Sequence, residues 1–392
     1  MTKYSLASST WGNEEIEAIQ SVIQSGRFTM GERVEEFERE FAKTLGSKYA
    51  VMVNSGSSAN LALLTSARYR NPQLLSPGDE VIVPAVSWST TYFPVNQAGF
   101  SLKFVDIDPD SLNIDVNKVQ EAIGPKTKAI LVVNILGNCA DWESLKSIAL
   151  ENNLELLEDN CESLGAKIQG KNAGTFGIGG TFSTFFSHHI STMEGGLILT
   201  NDEPLFHTLK SIRAHGWTRN LPSKNYVHNK SGENWEDLYR FVLPGYNLRP
   251  LEIEAAIGLI QIKKLPDFIR VRRANAVRFL DLLRALEGFK TQKEHGESSW
   301  FGFSLILEGK LKGFRRELLT SLTEAGIESR PIVTGNFTRN PVIKHLIHAP
   351  IGALPGSDQV HEDGLFVGNH HYDMTKELDL LENTLLDFSR RH

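Results

Sequence analysis

The sequence predicts an α/β fold: a large domain on a mixed, mostly parallel seven-stranded sheet, followed by a smaller α+β domain. Three observations predict it. Short apolar runs bounded by Gly, Pro, Asp or Asn alternate with helix-like stretches over the first 250 residues or so. After Gly245 the pattern changes to long helical periodicity and isolated strands. The length of 392 residues is enough for two cores of unequal size.

The first part of the chain supplies the predicted sheet. We expect strands at residues 49–53, 81–86, 102–105, 129–135, 154–157, 182–186 and 196–200. Their compact apolar character is typical of buried parallel strands. A turn at 54–58 separates the first strand from a helix predicted over 59–67. The polar stretch 217–244 is long for a loop, and loops of that length are usually functional or mobile.

The second part predicts the smaller domain. A helix over 251–265 is expected to stop at Pro266, and an amphipathic helix over 267–286 to end near Gly288. Strands are expected at 300–307, 326–333 and 364–367, with helices at 315–325 and 376–388. We therefore predict a large domain over residues 1–250 and a small domain over 251–392.

Composition excludes several classes of protein. The chain is 41% hydrophobic and 22% charged, its net charge is -6, and it has no basic cluster that suggests a nucleic-acid partner. No apolar run is long enough to cross a membrane, and no apolar signal-peptide core follows the N-terminus. The two cysteines, Cys139 and Cys161, fit a reducing cytoplasm and are too few for a four-cysteine iron–sulfur cluster.

A phosphate site is one interpretation of the turn at 55–58. Gly56 and Ser57 lie between a strand and a helix, where free backbone N–H groups and the helix dipole favour an anion. The alternative is a plain strand-to-helix turn with a capping serine, which on this motif alone is the more common outcome.

Two further residues follow predicted strands. Asp159 ends an apolar run, at the edge where α/β folds bind ligands, but it could also be a solvated loop acid or a helix cap. Trp88 lies just past another strand, where it could stack on a flat ring or fill a domain interface.

The segment 183–196 completes the pattern. Ser183 is followed five residues later by His188, and Glu194-Gly195-Gly196 then forms a predicted turn into the next strand. An imidazole can act as a base near neutral pH, although a lone histidine is more often structural. His189 beside it is expected to point elsewhere.

Together these motifs resemble the DegT/DnrJ/EryC1/StrS family of nucleotide-sugar enzymes, over nearly the whole chain. The resemblance implies a fold-type I aminotransferase architecture and a pyridoxal phosphate (PLP) coenzyme. It implies that Gly56, Ser57 and Ser183 bind the phosphate, that Asp159 pairs with the pyridine nitrogen and that Trp88 stacks on the ring. Asn247, in the segment 245–249, would reach the coenzyme phosphate of the neighbouring subunit in a homodimer.

Three departures refine the resemblance. His188 stands where most of the family has the coenzyme-binding lysine, Glu162 where a glutamine is usual, and Met193 where a glycine is usual. All three resemble the small histidine-bearing branch of 3-dehydrases. PLP and pyridoxamine phosphate (PMP) would then be bound noncovalently, with Glu162 near the coenzyme's phenolic oxygen and no metal required.

That branch implies a reaction. The C3 hydroxyl would leave a nucleotide-linked 4-keto-6-deoxyhexose, with GDP-4-keto-6-deoxy-D-mannose as the expected substrate and a 4-keto-3,6-dideoxy sugar as product. L-glutamate would regenerate PMP, ammonia would be released, and His188 would be the base. The product would serve colitose synthesis for the O-antigen of lipopolysaccharide. His215, Arg219 and Arg330 are candidates for substrate carboxylate or diphosphate contacts, though surface ionic contacts are at least as common.

Other functions stay open at this point. The chain could be a 4-ketosugar aminotransferase with an unusual base, or a 3-dehydrase for a CDP-hexulose, although those enzymes carry a cysteine-ligated iron–sulfur centre. A PLP fold that has lost activity and serves as a binding module is the alternative from another class. The presence of Asp159, Ser183 and a base at position 188 argues against it.

Overall fold

A large mixed sheet dominates the described part of the chain, residues 3–392 of this computed structural model. The strands in chain order are β1 (Tyr49–Val53), β2 (Glu80–Pro84), β3 (Ser101–Val105), β4 (Thr127–Val133), β5 (Glu155–Asp159), β6 (Lys167–Ile168), β7 (Lys171–Asn172), β8 (Gly179–Ser183) and β9 (Gly196–Thr200). Seven of them pair in the order β1-β9-β8-β5-β4-β2-β3, and β6 pairs with β7 separately. Strand β9 is antiparallel to β1 and β8, while the other pairs of the large sheet are parallel. The predicted fold class is therefore confirmed.

Helices precede, connect and follow the strands along the chain. They are α1 (Asn13–Ser25), α2 (Glu32–Leu45), α3 (Gly56–Tyr69), α4 (Ser89–Gln97), α5 (Val116–Ala122), α6 (Trp142–Asn152), α7 (Glu203–Arg213), α8 (Asn234–Leu238), α9 (Glu252–Arg284), α10 (Arg315–Ala325), α11 (Pro355–Asp363) and α12 (Thr375–Arg391). Helix α8 is the regular element inside the long polar stretch 217–244. Within residues 3–392 no helix combines the length and the apolar character that crossing a membrane requires.

The predicted strand at 182–186 is wrong in its bounds, since β8 begins at Gly179 and ends at Ser183. A glycine pair usually indicates a turn, but here it allows close packing inside a strand. A Cβ on Gly179 would lie 2.6 Å from Leu63 Cδ1, and one on Gly180 would lie 2.4 Å from the Cα of Gly174. Because β8 ends early, residues 184–195 are free to form the loop that carries His188.

The predicted helix end at Pro266 is also wrong, because α9 runs without a break from Glu252 to Arg284. A proline inside a helix removes one hydrogen bond and costs roughly 3 kcal/mol. Apolar side chains on both sides of Pro266 offset that cost, since Ile262, Leu265 and Phe268 are buried in one cluster with the helices and strands of the large sheet.

The smaller sheet consists of β10 (Phe289–Lys290), β11 (Gly302–Leu307), β12 (Ser329–Arg330) and β13 (Gly364–Gly368), in the antiparallel order β10-β11-β13-β12. The strand predicted over 326–333 is reduced to β12. The chain then turns away through Val333, whose φ is +50°, and Phe337 N donates to Ala85 O at 2.8 Å. The segment after β12 therefore lies against the end of β2, although it belongs to the second half of the chain.

Helix α9 contributes to two hydrophobic clusters. Its first half packs with α2 and β9, and its second half packs with β11, β13 and α12. The division of the chain at residues 250 and 251 stays a prediction.

One buried carboxylate fixes the start of α9 against the start of α2. Glu252 is 3% exposed and accepts the backbone N–H groups of Gly31, Arg33 and Val34 at 2.7–3.1 Å. A Glu252→Ala substitution leaves these donors without their acceptor, so we expect it to lower the free energy of unfolding by about 2–3 kcal/mol. Denaturant unfolding of the purified chain measures the change.

Glu32→Ala is the matched control. Glu32 lies in the first turn of α2 and pairs with Arg27, but both side chains are largely exposed. Its loss should change the same free energy by no more than about 0.5 kcal/mol. Equal effects of the two substitutions would contradict the role given to Glu252.

Candidate active site

A cavity of about 370 Å³ opens where the carboxyl ends of β4, β5 and β8 meet the starts of α3 and α4. It is lined by Ser55, Gly56, Ser57, Asn60, Ser87, Trp88, Thr90, Thr91, Val133, Asp159, Cys161, Glu162, Ser183, Phe185, Ser187, His188, Glu194 and Val333. Seven of the residues singled out in the sequence are therefore brought together: Gly56, Ser57, Trp88, Asp159, Glu162, Ser183 and His188.

The first turn of α3 forms one wall. Ser55 caps the helix by accepting the N–H of Ser58 at 3.1 Å, and Ser57 Oγ lies 2.8 Å from Thr90 Oγ1. A Cβ on Gly56 would lie 2.6 Å from Ser183 Cβ, so only glycine lets the helix start approach the end of β8. The N-terminus of a 14-residue helix and the hydroxyls of Ser57 and Ser183 thus line the same cavity, an arrangement suited to an anion.

Asp159 is held rigidly at the end of β5. Its Oδ2 accepts from Asn60 Nδ2 and from Thr91 Oγ1, each at 2.8 Å, and its Oδ1 accepts the backbone N–H of Cys161 at 3.1 Å. These bonds orient the carboxylate with respect to α3 and α4. Asp159 is neither a solvated loop acid nor a helix cap, because it is 5% exposed and lines the cavity.

Asn60 and Thr91 were missed by sequence reasoning. Asn60 lies one helical turn after Gly56, and Thr91 lies three residues after Trp88. Both positions face the cavity because each helix starts there. A search for polar side chains one turn into these helices would have found them.

Trp88 precedes α4 and is 57% exposed while it lines the cavity. A large aromatic side chain with an open face beside a carboxylate can stack on a flat ring.

Glu162 also lines the cavity, and its Oε2 accepts the backbone N–H of Leu136 at 2.9 Å. Burial raises the pKa of Glu162 to about 7, the hydrogen bond from Leu136 opposes that rise, and the charge of Asp159 adds to it. The carboxyl group can therefore hold or release a proton close to neutral pH.

His188 lies in the loop after β8, with its backbone N–H bonded to Phe185 O at 2.9 Å. Its ring contacts the ring of Phe301 edge to face, at a centroid separation of 5.2 Å, and its Nδ1 is buried with no hydrogen-bond partner among the described residues. Burial lowers the pKa of His188 to about 4, and the charge of Arg272 lowers it further. The imidazole is therefore neutral at neutral pH and able to accept a proton.

His189 has a separate environment. It is buried, its Nε2 lies 3.2 Å from Ser299 O, and it is not part of the cavity lining. The structure thus separates the two adjacent histidines, as expected.

Four predicted residues do not line the cavity of the described chain: Asn247, His215, Arg219 and Arg330. Asn247 is exposed and accepts from Arg249 Nε at 3.0 Å. The guanidinium of Arg219 lies 4.1 Å from the ring centre of Trp217 and 4.9 Å from that of Tyr239. Arg219 lies within the long loop 217–244, His215 and Asn247 lie just before and just after it in sequence, and Arg330 is exposed on β12.

Val333 was also not predicted as a site residue. It lines the cavity although it belongs to the second half of the chain. Its left-handed backbone is strained for a β-branched residue, and the neighbouring Thr334 Oγ1 donates to Ser87 O at 2.7 Å. No local pattern marks such a residue, because its place depends on the crossing of two distant segments.

Two relatives match the chain over nearly its full length. The GDP-4-keto-6-deoxy-D-mannose 3-dehydratase of Yersinia pseudotuberculosis is 52% identical over 387 residues, which cover 98% of each chain. The enzyme of the same name from Escherichia coli O55:H7 is 53% identical over 387 residues, covering 98% of this chain and 100% of the relative.

Solved structures agree in fold. Two structures of GDP-4-keto-6-deoxymannose-3-dehydratase superpose with a TM-score of 0.96 at 52% identity, and each match covers 98% of this chain and 100% of the other. One is a histidine-to-asparagine variant with bound GDP-perosamine, and the other contains a trapped PLP–glutamate geminal diamine. The sequence profile of the DegT/DnrJ/EryC1/StrS aminotransferase family matches residues 9–379. The chain belongs to that family.

Proposed function

We propose that this protein is a PLP- and PMP-dependent nucleotide-sugar 3-dehydratase, a lyase that removes the C3 hydroxyl of GDP-4-keto-6-deoxy-D-mannose. The product is the 4-keto-3,6-dideoxy sugar, L-glutamate regenerates PMP, and ammonia is released. The observation that carries the proposal is a neutral histidine, His188, in a cavity that keeps Asp159 and Ser183. The full-length relatives named for this reaction support the substrate.

The cavity fits the coenzyme on structural grounds. The helix start at Gly56, with the hydroxyls of Ser57 and Ser183, suits the phosphate. The fixed carboxylate of Asp159 suits the pyridine nitrogen, and the open face of Trp88 suits the ring. In this proposal Glu162 shares a proton with the phenolic oxygen, and its pKa, raised to about 7 by burial, supports that role.

The coenzyme is held noncovalently. No lysine lines the cavity in the part of the chain that the structure describes. The phosphate contacts, the Asp159 pair and the stacking on Trp88 must therefore supply all of the affinity, because there is no covalent link to the protein.

The chain's own residues move the proton. PMP bound in the cavity supplies an amine for the C4 ketone and a ring that accepts electrons as the C3–O bond breaks. His188 takes the proton at coenzyme C4′ and can return it to the departing hydroxyl. A neutral imidazole suits the first step, and its protonated form suits the second.

The proposed assembly is a homodimer with active sites at the subunit interface. In that arrangement Asn247 reaches the partner's coenzyme phosphate, and His215, Arg219 and Arg330 are candidates for the nucleotide sugar. Support comes from the long loop, where Trp235, Tyr239 and Phe241 are 86%, 66% and 57% exposed. Exposed aromatic side chains in such number are typical of an interface.

The cytoplasm is the proposed location of the enzyme, and colitose synthesis for the O-antigen is the proposed use of its product.

Product analysis tests the reaction. With GDP-4-keto-6-deoxy-D-mannose, PLP and L-glutamate, we expect loss of the C3 hydroxyl and release of ammonia, measured by mass spectrometry and an ammonia assay. A 4-amino sugar as the product would instead indicate an aminotransferase. Parallel reactions with CDP-linked and dTDP-linked 4-keto-6-deoxyhexoses test the nucleotide.

A His188→Asn variant should keep its fold and its PMP affinity but lose sugar turnover by about a hundredfold to ten-thousandfold, because a positioned base contributes about that much. Circular dichroism, PMP titration and turnover measurements separate the three properties. His189→Asn is the neighbouring control, for which we expect a much smaller loss. Wild-type turnover in the His188 variant would refute the assigned base.

Borohydride reduction tests the noncovalent site. With no lysine in the cavity there is no imine between coenzyme and protein to reduce, so coenzyme should be removed by gel filtration after treatment. Coenzyme mass retained on the denatured chain would show that a lysine from elsewhere binds it.

A further inference from the structure

A buried cation lies behind the proposed base. Arg272, in the middle of α9, is 4% exposed, and none of the ion pairs found in residues 3–392 involves it. Burial lowers the pKa of Arg272 to about 10, so the guanidinium is still charged at neutral pH. Burying a charge without a counter-charge is costly, and such an arrangement calls for a functional reason.

The guanidinium is held by backbone carbonyls. Arg272 Nη1 donates to Asn369 O at 2.6 Å, to Phe301 O at 3.1 Å and to Trp300 O at 3.4 Å. Asn369 Nδ2 donates to the same Trp300 carbonyl at 2.9 Å and to Arg272 O at 3.1 Å. The buried pair thus ties α9 to the segments that precede β11 and follow β13.

One of these segments touches His188. Trp300 has a φ of +48°, a left-handed conformation that is strained for a bulky side chain. The hydrogen bonds from Arg272 and Asn369 to its carbonyl stabilise that conformation. The next residue, Phe301, then places its ring 5.2 Å from the ring of His188 and 5.6 Å from that of His189.

The charged and titratable groups around the site favour opposite states of the imidazole. Asp159, Glu162 and Glu194 also line the cavity, and negative charge placed there, such as the phosphate of a coenzyme or the diphosphate of a nucleotide sugar, would favour the protonated form. Burial is the largest cause of the lowered pKa of His188, and the charge of Arg272 on α9 lowers it further, as it does for His189, His370 and His371. Arg272 is thus a cation whose effect on His188 is opposite to that of anions bound in the cavity.

We propose that Arg272 is a positioning residue that fixes the imidazole of His188 through Phe301 and keeps it neutral when anionic ligands are bound. This rests on the proposed role of His188 as the base. It assigns a function to a charge that lies outside the cavity lining.

The wild-type protein gives the first test. Histidine-labelled full-length chain is titrated by NMR, with and without PMP, and the His188 signal is identified as the one missing from His188→Asn. We expect a midpoint clearly below that of free imidazole in both states. An ordinary midpoint in the wild-type protein would overturn the inference, even if the variants of Arg272 failed to fold.

Two variants then separate charge from geometry. Arg272→Gln removes the charge, so the midpoint of His188 should rise by about one pH unit. The sign follows from the loss of a neighbouring cation that disfavours imidazolium. Arg272→Lys keeps the charge but shortens the side chain and loses the guanidinium, whose Nη1 makes all three bonds to the carbonyls, so the midpoint should stay low while the ring shifts that Phe301 induces on His188 change. An unchanged midpoint in folded Arg272→Gln would refute the role of the charge.

Arg273→Gln is the matched control. Arg273 is the next residue of α9 and pairs with Glu297 at the surface, so its loss should leave the His188 midpoint unchanged. An equal rise in this variant would show a nonspecific effect of charge and overturn the inference.

The pH profile of turnover supplies the second measurement. In Arg272→Gln the acidic limb of kcat/KM should move upward with the midpoint, so activity falls more at about pH 5 than at about pH 8. In Arg272→Lys, kcat should fall about tenfold at every pH, because the imidazole is no longer oriented. A Lys variant that matches the wild type in both measurements would overturn the positioning part. Absence of dehydration by the wild type would refute the proposed function alone, since the titration does not depend on turnover.

Discussion

The hydrogen bonds of Asp159 are the interaction on which the rest of the site depends. One carboxylate at the end of β5 joins Asn60 of α3 and Thr91 of α4, so the starts of two helices are fixed relative to one strand. The turn at Gly56 and the aromatic face of Trp88 lie at those same helix starts. Their separation therefore follows from a single buried acceptor, and the cavity has a defined shape without a covalently attached ligand.

The replacement of a lysine by a histidine changes what the surroundings must provide. A lysine holds its coenzyme by a bond and needs little else for retention. An imidazole forms no such bond. Burial and, after it, the charge of Arg272 lower the pKa of His188, and the ring of Phe301 lies against its ring. The chemistry of the site thus extends beyond the residues that line it.

The parts of the fold and of the site that could be predicted are those that depend on short stretches of sequence. Strand ends of a parallel sheet meet at one edge, so Gly56 and Asp159 could be placed together from short motifs. Ser183 was placed by the family resemblance, because the strand predicted over 182–186 did not end at it. Arg272 and Val333 could not be placed, because each reaches the site through the packing of distant segments. The helix break expected at Pro266 failed for a related reason: local propensity favoured an end, but burial of Leu265 and Phe268 on both sides favoured continuation.

The unbroken path of α9 has a mechanical consequence. A rod of 33 residues is embedded at one end among the helices that cover the large sheet and at the other in the core beneath the small sheet. Rotating one half of the molecule against the other would require α9 to bend or to lose its packing in one of the two cores. Any change in the width of the cavity therefore falls to the surface segments around its mouth rather than to a rotation of one half of the molecule against the other.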